Sequence, residues 1–313
     1  MQWYSLVILA LLYCGEFLIV IHGKTINLHE KIVPSSRLQG AKPIRIEEAP
    51  YQVSLQSLGV HVCGGSIIGQ RHVLSAGRCV FDETPSTLTI RAGTSVRQIG
   101  GSVHHVTRIY DYHFKIHPNG TLENDIVVLE IHPEFNFDET RQPLEIEHNQ
   151  TLEYGSVAKV SGWGQVEGGF EPELLRALAV PIISNETCFK FLNTSDIGFG
   201  SKFCAGFLTV NGKGTCNMDE GGPLISQISN STRQIGIVTR NIYRCSCALE
   251  GQPDFYTSVA YYSNWIYSIV DPDRITTVSP LSTTTTNSPT PSPITTTTTI
   301  SPITSPPTTL PPF

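Results

Sequence analysis

The chain has 313 residues, of which 40% are hydrophobic and 15% charged, and its formal net charge at pH 7 is -6. This length leaves room for one large β domain or two ordinary domains, with ends that need not fold. The negative net charge and the lack of a long run of Lys or Arg argue against a nucleic-acid-binding surface.

The N-terminal segment is apolar from residue 5 to residue 21, which is typical of a secretory signal peptide. No Lys or Arg precedes the apolar run, and Glu16 interrupts it. Because a membrane anchor needs about 20 apolar residues without a central charge, we favour a signal peptide over an anchor. We assign it to residues 1–23, with cleavage near Gly23 or near Gly15.

The cysteines and the glycosylation sequons also indicate that the chain is secreted. Eight cysteines occur in the chain, and Cys14 lies in the signal peptide, which leaves seven. An odd number in an oxidising compartment predicts one free or intermolecular thiol. Five Asn-X-Ser/Thr sequons fit a secreted glycoprotein. They begin at Asn119, Asn149, Asn185, Asn193 and Asn230.

After the signal peptide, residues 24–37 are polar and without pattern, and they end at Arg37, as expected of a short pro-segment. From Tyr51 to about Val270 the chain consists of short runs rich in Val, Ile and Tyr, broken by Gly, Pro, Asn and Asp. This pattern predicts an all-β sandwich or barrel without alternating helices.

One helix is predicted, from Val259 to Val270, because its apolar residues recur on one helical face. Pro272 marks its end. The residues of this face are Val259, Tyr262, Trp265, Ile266 and Ile269.

After Arg274 the composition changes to Thr, Ser and Pro and stays so to Phe313. Such a composition cannot bury a core, so residues 275–313 are predicted to be a disordered, O-glycosylated, mucin-like tail. The alternative is a bare flexible linker.

A series of motifs resembles the trypsin-like (chymotrypsin-family, peptidase S1) serine proteases in the order that family keeps, from about Leu38 to Val270. The central one is Cys216-Asn-Met-Asp-Glu220-Gly-Gly-Pro-Leu224, which is similar to the family's nucleophile loop with Glu220 in place of the serine. The other motifs are Pro50 to Leu55, His61 to Ser66, Leu74 to Cys79, Asn124 to Ile126, Ser161 to Gly164, Phe203 to Gly206 and Pro253 to Val259.

The resemblance implies a protease domain over residues 38–274, built as two six-stranded Greek-key β-barrels with a C-terminal helix. It also implies three disulfides, Cys63–Cys79, Cys188–Cys204 and Cys216–Cys247. The distance from Cys247 to Tyr256 fits the family better than that of Cys245, which leaves Cys245 as the odd thiol.

The resemblance assigns the catalytic triad to Arg78, Asp125 and Glu220, of which only Asp125 matches the family. The catalytic histidine becomes Arg78, whose guanidinium stays protonated and accepts no proton. Glu220 cannot replace the nucleophilic hydroxyl. Arg78 either bridges the two carboxylates as a structural salt bridge, or it points to solvent together with Glu220.

The oxyanion hole and the specificity pocket depart from the family as well. Met218 replaces the oxyanion-hole glycine, and its side chain is expected to disfavour the backbone conformation that aims the amide. Gly214, before Thr215, replaces the pocket aspartate, while Asp254 falls opposite and keeps the pocket acidic in mirrored form. The substrate-pairing strand reads Thr239-Arg240-Asn241, so that Arg240 either lines or plugs the pocket.

The family's spacing puts its new N-terminus at Leu38, so Arg37 is the candidate activation site; the alternative is a basic residue in a flexible arm. Asp219 matches the aspartate that accepts the new terminal ammonium in the family. His61 and Ser54 match the residues that hold this aspartate before cleavage.

No metal or cofactor is predicted. His104, His105, His113 and His117 lack the spacing of a metal site, and we expect them to be exposed loop histidines.

From the resemblance we expect a secreted, inactive serine protease homologue that acts by binding an extracellular protein such as a protease or a protease inhibitor. Its roles would be those of the family's inactive members: cofactor or regulator in a proteolytic cascade, or inhibitor decoy. The alternatives are a hydrolase with residual or nonstandard chemistry using Glu220 or Asp125, and a matrix-tethered structural glycoprotein. Oligomeric state is left open, with Cys245 a candidate for intermolecular pairing.

Overall fold

The computed structural model describes residues 18–21, 24–27, 41–118, 120–149, 152–166, 170–192, 200–208, 214–239 and 253–272. Most of the predicted signal peptide and pro-segment lies outside these residues, and so does the whole predicted tail. At the N-terminus the structure describes an antiparallel hairpin in which Leu18 pairs with Asn27.

Eighteen strands are described, and most are short, as the sequence pattern predicts. They are β1 (Leu18–Ile21), β2 (Lys24–Asn27), β3 (Lys42–Pro43), β4 (Gln52–Ser57), β5 (Val60–Gly69), β6 (His72–Ser75), β7 (Leu88–Ala92), β8 (Ser102–Asp111), β9 (Lys115–Ile116), β10 (Leu122–Glu123), β11 (Val127–His132), β12 (Glu145–Ile146), β13 (Val157–Gly162), β14 (Arg176–Ile183), β15 (Lys202–Ala205), β16 (Pro223–Ile228), β17 (Ser231–Thr239) and β18 (Asp254–Ser258).

The first barrel closes in the order β11-β6-β5-β4-β7-β8. Strand β7 shows the alternation that builds it: Leu88, Ile90 and Ala92 are buried, whereas Thr89 and Arg91 between them are only partly buried. Because successive side chains of a strand point to opposite faces, this period of two directs the apolar side chains of β7 into the barrel interior.

The second barrel closes in the order β13-β14-β15-β18-β17-β16, because β16 pairs with β13 and β17 pairs with β18. Two short strands extend this sheet, β12 parallel to β17 and β3 antiparallel to β14. The expected fold of two closed six-stranded barrels is thereby confirmed.

The predicted C-terminal helix is confirmed as α2 (Val259–Val270), after α1 (Asn185–Leu192). The hydroxyl of Ser258 caps α2 by accepting a hydrogen bond from the Tyr261 amide. Val259, Tyr262 and Ile266 are buried, and the other two residues of the predicted face are partly buried. In the described part of the chain, no helix is long and apolar enough to cross a bilayer.

The disulfides Cys63–Cys79 and Cys188–Cys204 are formed, as the resemblance implied. Cys216 is also disulfide-bonded. Its partner is not among the described residues, which exclude both Cys245 and Cys247.

The two barrels approach most closely through glycines of β5 and of the loop before β16. A Cβ atom on Gly64 would lie 2.9 Å from the Cα atom of Gly222, so no side chain fits there. The Gly64 amide donates to the Glu220 carbonyl at 2.8 Å. Backbone therefore meets backbone at the base of the cleft between the barrels.

Candidate functional site

Asp125 lies at the bottom of this cleft and is fully buried. Its Oδ1 atom accepts a hydrogen bond from the Arg78 amide at 2.8 Å, and its Oδ2 atom accepts one from the Thr239 hydroxyl. The Thr257 hydroxyl donates to its backbone carbonyl at 3.0 Å. These contacts join the first barrel to β17 and β18 of the second.

Burial raises the pKa of Asp125, and the hydrogen bonds from Thr239 and Arg78 oppose that shift. The charge of Lys202 also favours the ionised form. Burial lowers the pKa of Lys202 in turn, and its ammonium donates to the Leu122 carbonyl. Sequence reasoning missed Lys202, because nothing in its local sequence indicates a neighbour 77 positions away.

Arg78 lies in the 3-10 turn Gly77–Val80, held on one side by the Cys63–Cys79 disulfide. Phe114 packs over this turn, with its Cγ atom 3.0 Å from where a Cβ on Gly77 would be. The Nη1 atom of Arg78 is enclosed without a hydrogen-bond partner. Within the described residues the guanidinium forms no ion pair.

The Glu220 carboxylate points back into its own loop, and the residue is 5% exposed. Its Oε2 atom accepts a hydrogen bond from the Met218 amide at 2.7 Å. The two expectations for Glu220 are therefore both wrong: it neither forms a salt bridge with Arg78 nor points to solvent. The bond from the Met218 amide contributes to this position, since a carboxylate accepts a backbone N–H bond strongly.

Met218 has a φ of 74°, in the left-handed region that favours glycine. Met218 adopts this conformation although a side chain disfavours it. The surroundings of the loop hold it: the Met218 amide binds Glu220, and the Met218 carbonyl lies 3.2 Å from Nε2 of His61. The Met218 amide, which the resemblance assigns to the oxyanion hole, is thus already bonded to a side chain of its own loop.

Asp219 is buried, and its carboxylate holds the Cys216–Leu224 loop through hydrogen bonds to two backbone amides. Its Oδ1 atom accepts from the Gly164 amide at 2.8 Å, and its Oδ2 atom accepts from the Cys216 amide at 2.9 Å. A Cβ atom on Gly162 or on Gly164 would lie 2.2 Å from the Asp219 side chain. The Ser-Gly-Trp-Gly motif therefore supplies the space that this carboxylate fills.

His61 is fully buried between Ser54 and the loop. Its Nδ1 atom is 2.8 Å from the Ser54 hydroxyl, and its ring lies edge-on to Trp163 at 5.8 Å between centroids. Burial lowers the pKa of His61 to about 4, and the bond to the Met218 carbonyl opposes that shift. His61 is therefore neutral, with Nε2 donating to Met218 and Nδ1 accepting from Ser54.

Asp254 and Gly214, which the resemblance assigns to the specificity pocket, lie in contact. Asp254 lies against Gly214, where a Cβ atom would be 2.5 Å from its Oδ2 atom. That Oδ2 atom accepts a hydrogen bond from the Thr215 amide at 2.6 Å. Arg240 and Asn241 lie outside the described residues.

The chain matches the family model described as Trypsin over residues 38–266. The chain belongs to the trypsin-like serine protease family. The match begins at Leu38, the residue expected to follow the activation cleavage in this trypsin-family chain. Arg37 and Leu38 themselves lie outside the described residues.

This trypsin-family chain is similar to the following three relatives, among others. Trypsin zeta of Drosophila melanogaster is 32% identical over 262 residues, which cover 78% of this chain and 89% of the relative. Vitellin-degrading protease of Bombyx mori is 30% identical, covering 82% and 93% respectively. Trypsin-1 of Astacus astacus is 34% identical over 233 residues, covering 70% and 94%.

Three of the five sequon asparagines are described. Asn149 and Asn230 are exposed, and Asn185 is partly buried at the start of α1. Asn119 and Asn193 lie outside the described residues.

The expectation of exposed loop histidines is wrong for His104, which is buried on β8. Its Nε2 atom is 2.7 Å from the Ser102 hydroxyl, and its Nδ1 atom is 2.5 Å from the Pro133 carbonyl. The next residue, His105, is exposed, because neighbours on a strand face opposite sides. His104 is a satisfied core residue of the first barrel.

Proposed function

We propose that this chain is a secreted, catalytically inactive member of its family that acts by binding another extracellular protein. Such a protein would serve as a cofactor or regulator in an extracellular proteolytic cascade, or as a decoy for protease inhibitors. The observation that carries the proposal is the buried Glu220 carboxylate, held on the Met218 amide at 2.7 Å.

The first support for the proposal is that the described part of the cleft lacks both a hydroxyl nucleophile and a base that could remove its proton. Amide hydrolysis by this family needs a hydroxyl nucleophile and a base that removes its proton. Arg78 has only donors and stays charged. Glu220 has no hydroxyl to deprotonate. Asp125 is engaged by the Arg78 amide and the Thr239 hydroxyl, so it is not available to water in the cleft.

The oxyanion hole gives a second, independent reason. A donor stabilises a developing oxyanion only if no other acceptor already holds it. The Met218 amide donates to Glu220, so a substrate carbonyl would have to displace a charged acceptor. This also weakens the rival hydrolase that uses Glu220 or Asp125 with water. The relatives are named as proteases, so family membership alone favours activity; the cleft side chains argue against it.

The binding partner is inferred from the pocket. Asp254 provides a carboxylate beside Gly214, which suits the side chain of Lys or Arg. Protein inhibitors of trypsins and protein substrates both present such a side chain. We therefore infer an extracellular partner that presents Lys or Arg to this pocket, and no nucleic acid.

The test uses the secreted full chain, intact and cleaved at Arg37. We expect no hydrolysis of Lys or Arg esters and no labelling by a fluorophosphonate probe. The double variant Arg78→His, Glu220→Ser is the matched positive control, since it restores base and nucleophile on the same backbone. Stoichiometric labelling of the unaltered cleft would contradict the proposal.

Binding is tested separately on immobilised benzamidine, whose cation imitates an arginine side chain. The unaltered chain should be retained, and Asp254→Asn should reduce retention at least tenfold. The matrix role is tested by deleting residues 275–313: loss of localisation with pocket binding intact would favour a tethered structural glycoprotein.

A further inference from the structure

A cavity lies at the C-terminal end of α2, where that helix meets the end of β5 and the segment before β12. Its volume is about 250 Å³. The β5 wall and the α2 wall are in contact, because a Cβ atom on Gly69 would lie 3.4 Å from Cγ1 of Val270. The Leu144 amide donates to the Ile67 carbonyl at 2.8 Å, which ties the third wall to β5. All three walls are therefore built from described residues.

The lining of this cavity is mainly aliphatic and incompletely covered. Ile68, Tyr267 and Val270 pack on the core of the first barrel and are still only partly buried. The other aliphatic lining residues are Leu144, Ile146 and Ile266. Covering apolar surface is favourable, and an apolar cavity of about 150 Å³ already holds a ligand the size of benzene. The cavity therefore has room for one branched aliphatic side chain.

The rim of the cavity is acidic. The carboxylates of Glu145 and Asp271 stand there, and both residues are exposed. The described lining contains no Lys, Arg or His. Glu145 has Arg233 at 3.5 Å, but 67% of its side chain stays exposed. An aliphatic group with an adjoining cation would match both the cavity and its rim.

The chain itself supplies such a pair directly after the cavity. Asp271 lines the cavity, and its amide donates to the Tyr267 carbonyl at 2.9 Å as α2 ends. The sequence then continues Pro-Asp-Arg274-Ile275-Thr-Thr, of which residues 273–277 lie outside the described residues. Ile275 is four positions beyond Asp271, and an extended chain of that length spans up to about 13–14 Å. Because Asp271 is itself a lining residue, Ile275 can reach the cavity.

Three properties of this segment favour it over a separate molecule as the occupant. A segment tethered this closely has an effective concentration in the millimolar range at its site. Ile275 is the only aliphatic residue between Val270 and Val278, and Arg274 precedes it. The two threonines that follow are β-branched, which favours an extended backbone. The reach, the charge and the single aliphatic side chain therefore all agree with docking of the chain's own continuation.

We propose that Ile275 fills this cavity, with the Arg274 guanidinium beside Glu145, and that residues 273–277 thereby form a strap across the end of α2. The strap goes beyond the proposed function, since it uses no residue of the cleft. The predicted mucin-like tail would then begin at residue 278 instead of residue 275.

The first experiment places photo-leucine, a diazirine amino acid close in size to isoleucine, at position 275 of the full chain. Irradiation should join position 275 to Ile68 or to residues 143–146 of the same molecule, as identified by mass spectrometry of the digest. Those residues are remote in sequence, so the short tether to α2 does not by itself bring them together with position 275. The same amino acid in place of Thr283 is the matched control and should give little of this product.

The second experiment compares thermal unfolding of the full-length variants Ile275→Asp and Val278→Asp. The first substitution puts a charge into an apolar cavity, so the Tm should fall by about 2–6 °C. Val278 lies outside the strap, so Val278→Asp should leave the Tm within about 1–2 °C of that of the unaltered chain. Ile68→Ser should lower the Tm by itself, and its effect should be smaller in the Ile275→Asp background, because the two side chains share one contact.

Crosslinks from position 275 that match those from position 283, or the same Tm for the two Asp variants, would overturn the strap. A product with the mass of two chains would assign the cavity to a second copy. A product with another protein, after irradiation in the culture medium, would assign it to that partner, and either assignment also overturns the strap. None of these results bears on catalysis by the cleft, which ester hydrolysis tests separately.

Discussion

The burial of His61 predicts a loss of stability when the pH falls from neutral to 5. In the folded chain the neutral ring satisfies both of its nitrogen atoms, with Ser54 at 2.8 Å and the Met218 carbonyl at 3.2 Å. Burial lowers the pKa of His61 from 6.5 to about 4. Between these values the unfolded chain binds the proton and the folded chain does not, so acid favours unfolding.

The magnitude follows from this difference in pKa. One pKa unit corresponds to about 1.4 kcal/mol, so the stability that His61 contributes at neutral pH exceeds its contribution below pH 4 by about 3 kcal/mol. Most of the loss occurs between pH 6.5 and pH 4. By pH 5 we expect about 2 kcal/mol of it, as calculated from the two proton-binding curves.

The assay compares the unaltered chain with His61→Gln by urea unfolding at pH 7.5 and pH 5. The difference between the two proteins isolates His61, because burial also lowers the pKa values of His72 and His104 and both remain in each protein. The stability advantage of the unaltered chain should shrink by about 2 kcal/mol at the lower pH. An advantage that stays constant, or grows in acid, would refute the reasoning.

Three further predictions concern the nucleophile loop. Met218→Gly should raise the free energy of unfolding by about 0.5–1 kcal/mol, because relief of the left-handed strain is partly offset by the backbone entropy of glycine; a destabilised variant in urea unfolding would contradict this. Gly164→Ala should destabilise the chain by about 1–3 kcal/mol, because the new methyl group overlaps Asp219, and the loss should shrink in an Asp219→Ala background. Arg78→Ala and Glu220→Ala should be additive within about 0.5 kcal/mol in a double-mutant cycle, because the two side chains form no ion pair; a coupling above about 1 kcal/mol would show that they do.

Sequence alone predicted the architecture, because the features that specify it are local or recur in order. The apolar face of α2 is visible as a helical period in residues 259–270. The motif series, from Pro50 to Pro253, fixed both barrels and two disulfides through the family resemblance. Helix α1 was missed, since it is only 8 residues long and its buried Cys188 is held to Cys204 by a disulfide, which leaves no helical signal in the sequence.

The cleft was predicted less well, because its side chains are placed by tertiary contacts. Sequence identified Glu220 and Met218 as departures from the family, but not the hydrogen bond between them, which depends on the left-handed turn at Met218. The hydrogen bond from Thr239 to Asp125 could have been predicted from the sequence, because Thr keeps the hydroxyl of the serine that the family has at this position. Lys202 had none.

The contact between Gly64 and Gly222 bears on how this cleft changes in evolution. Two barrels joined by side chains can shift when a residue is exchanged, and the groove between them widens or narrows. Here a Cβ atom on Gly64 would lie 2.9 Å from the Gly222 Cα atom, so the separation is set by van der Waals contact between the two backbones. New specificities must then arise from substitutions of the residues that line the groove, while the distance between the two barrels stays the same.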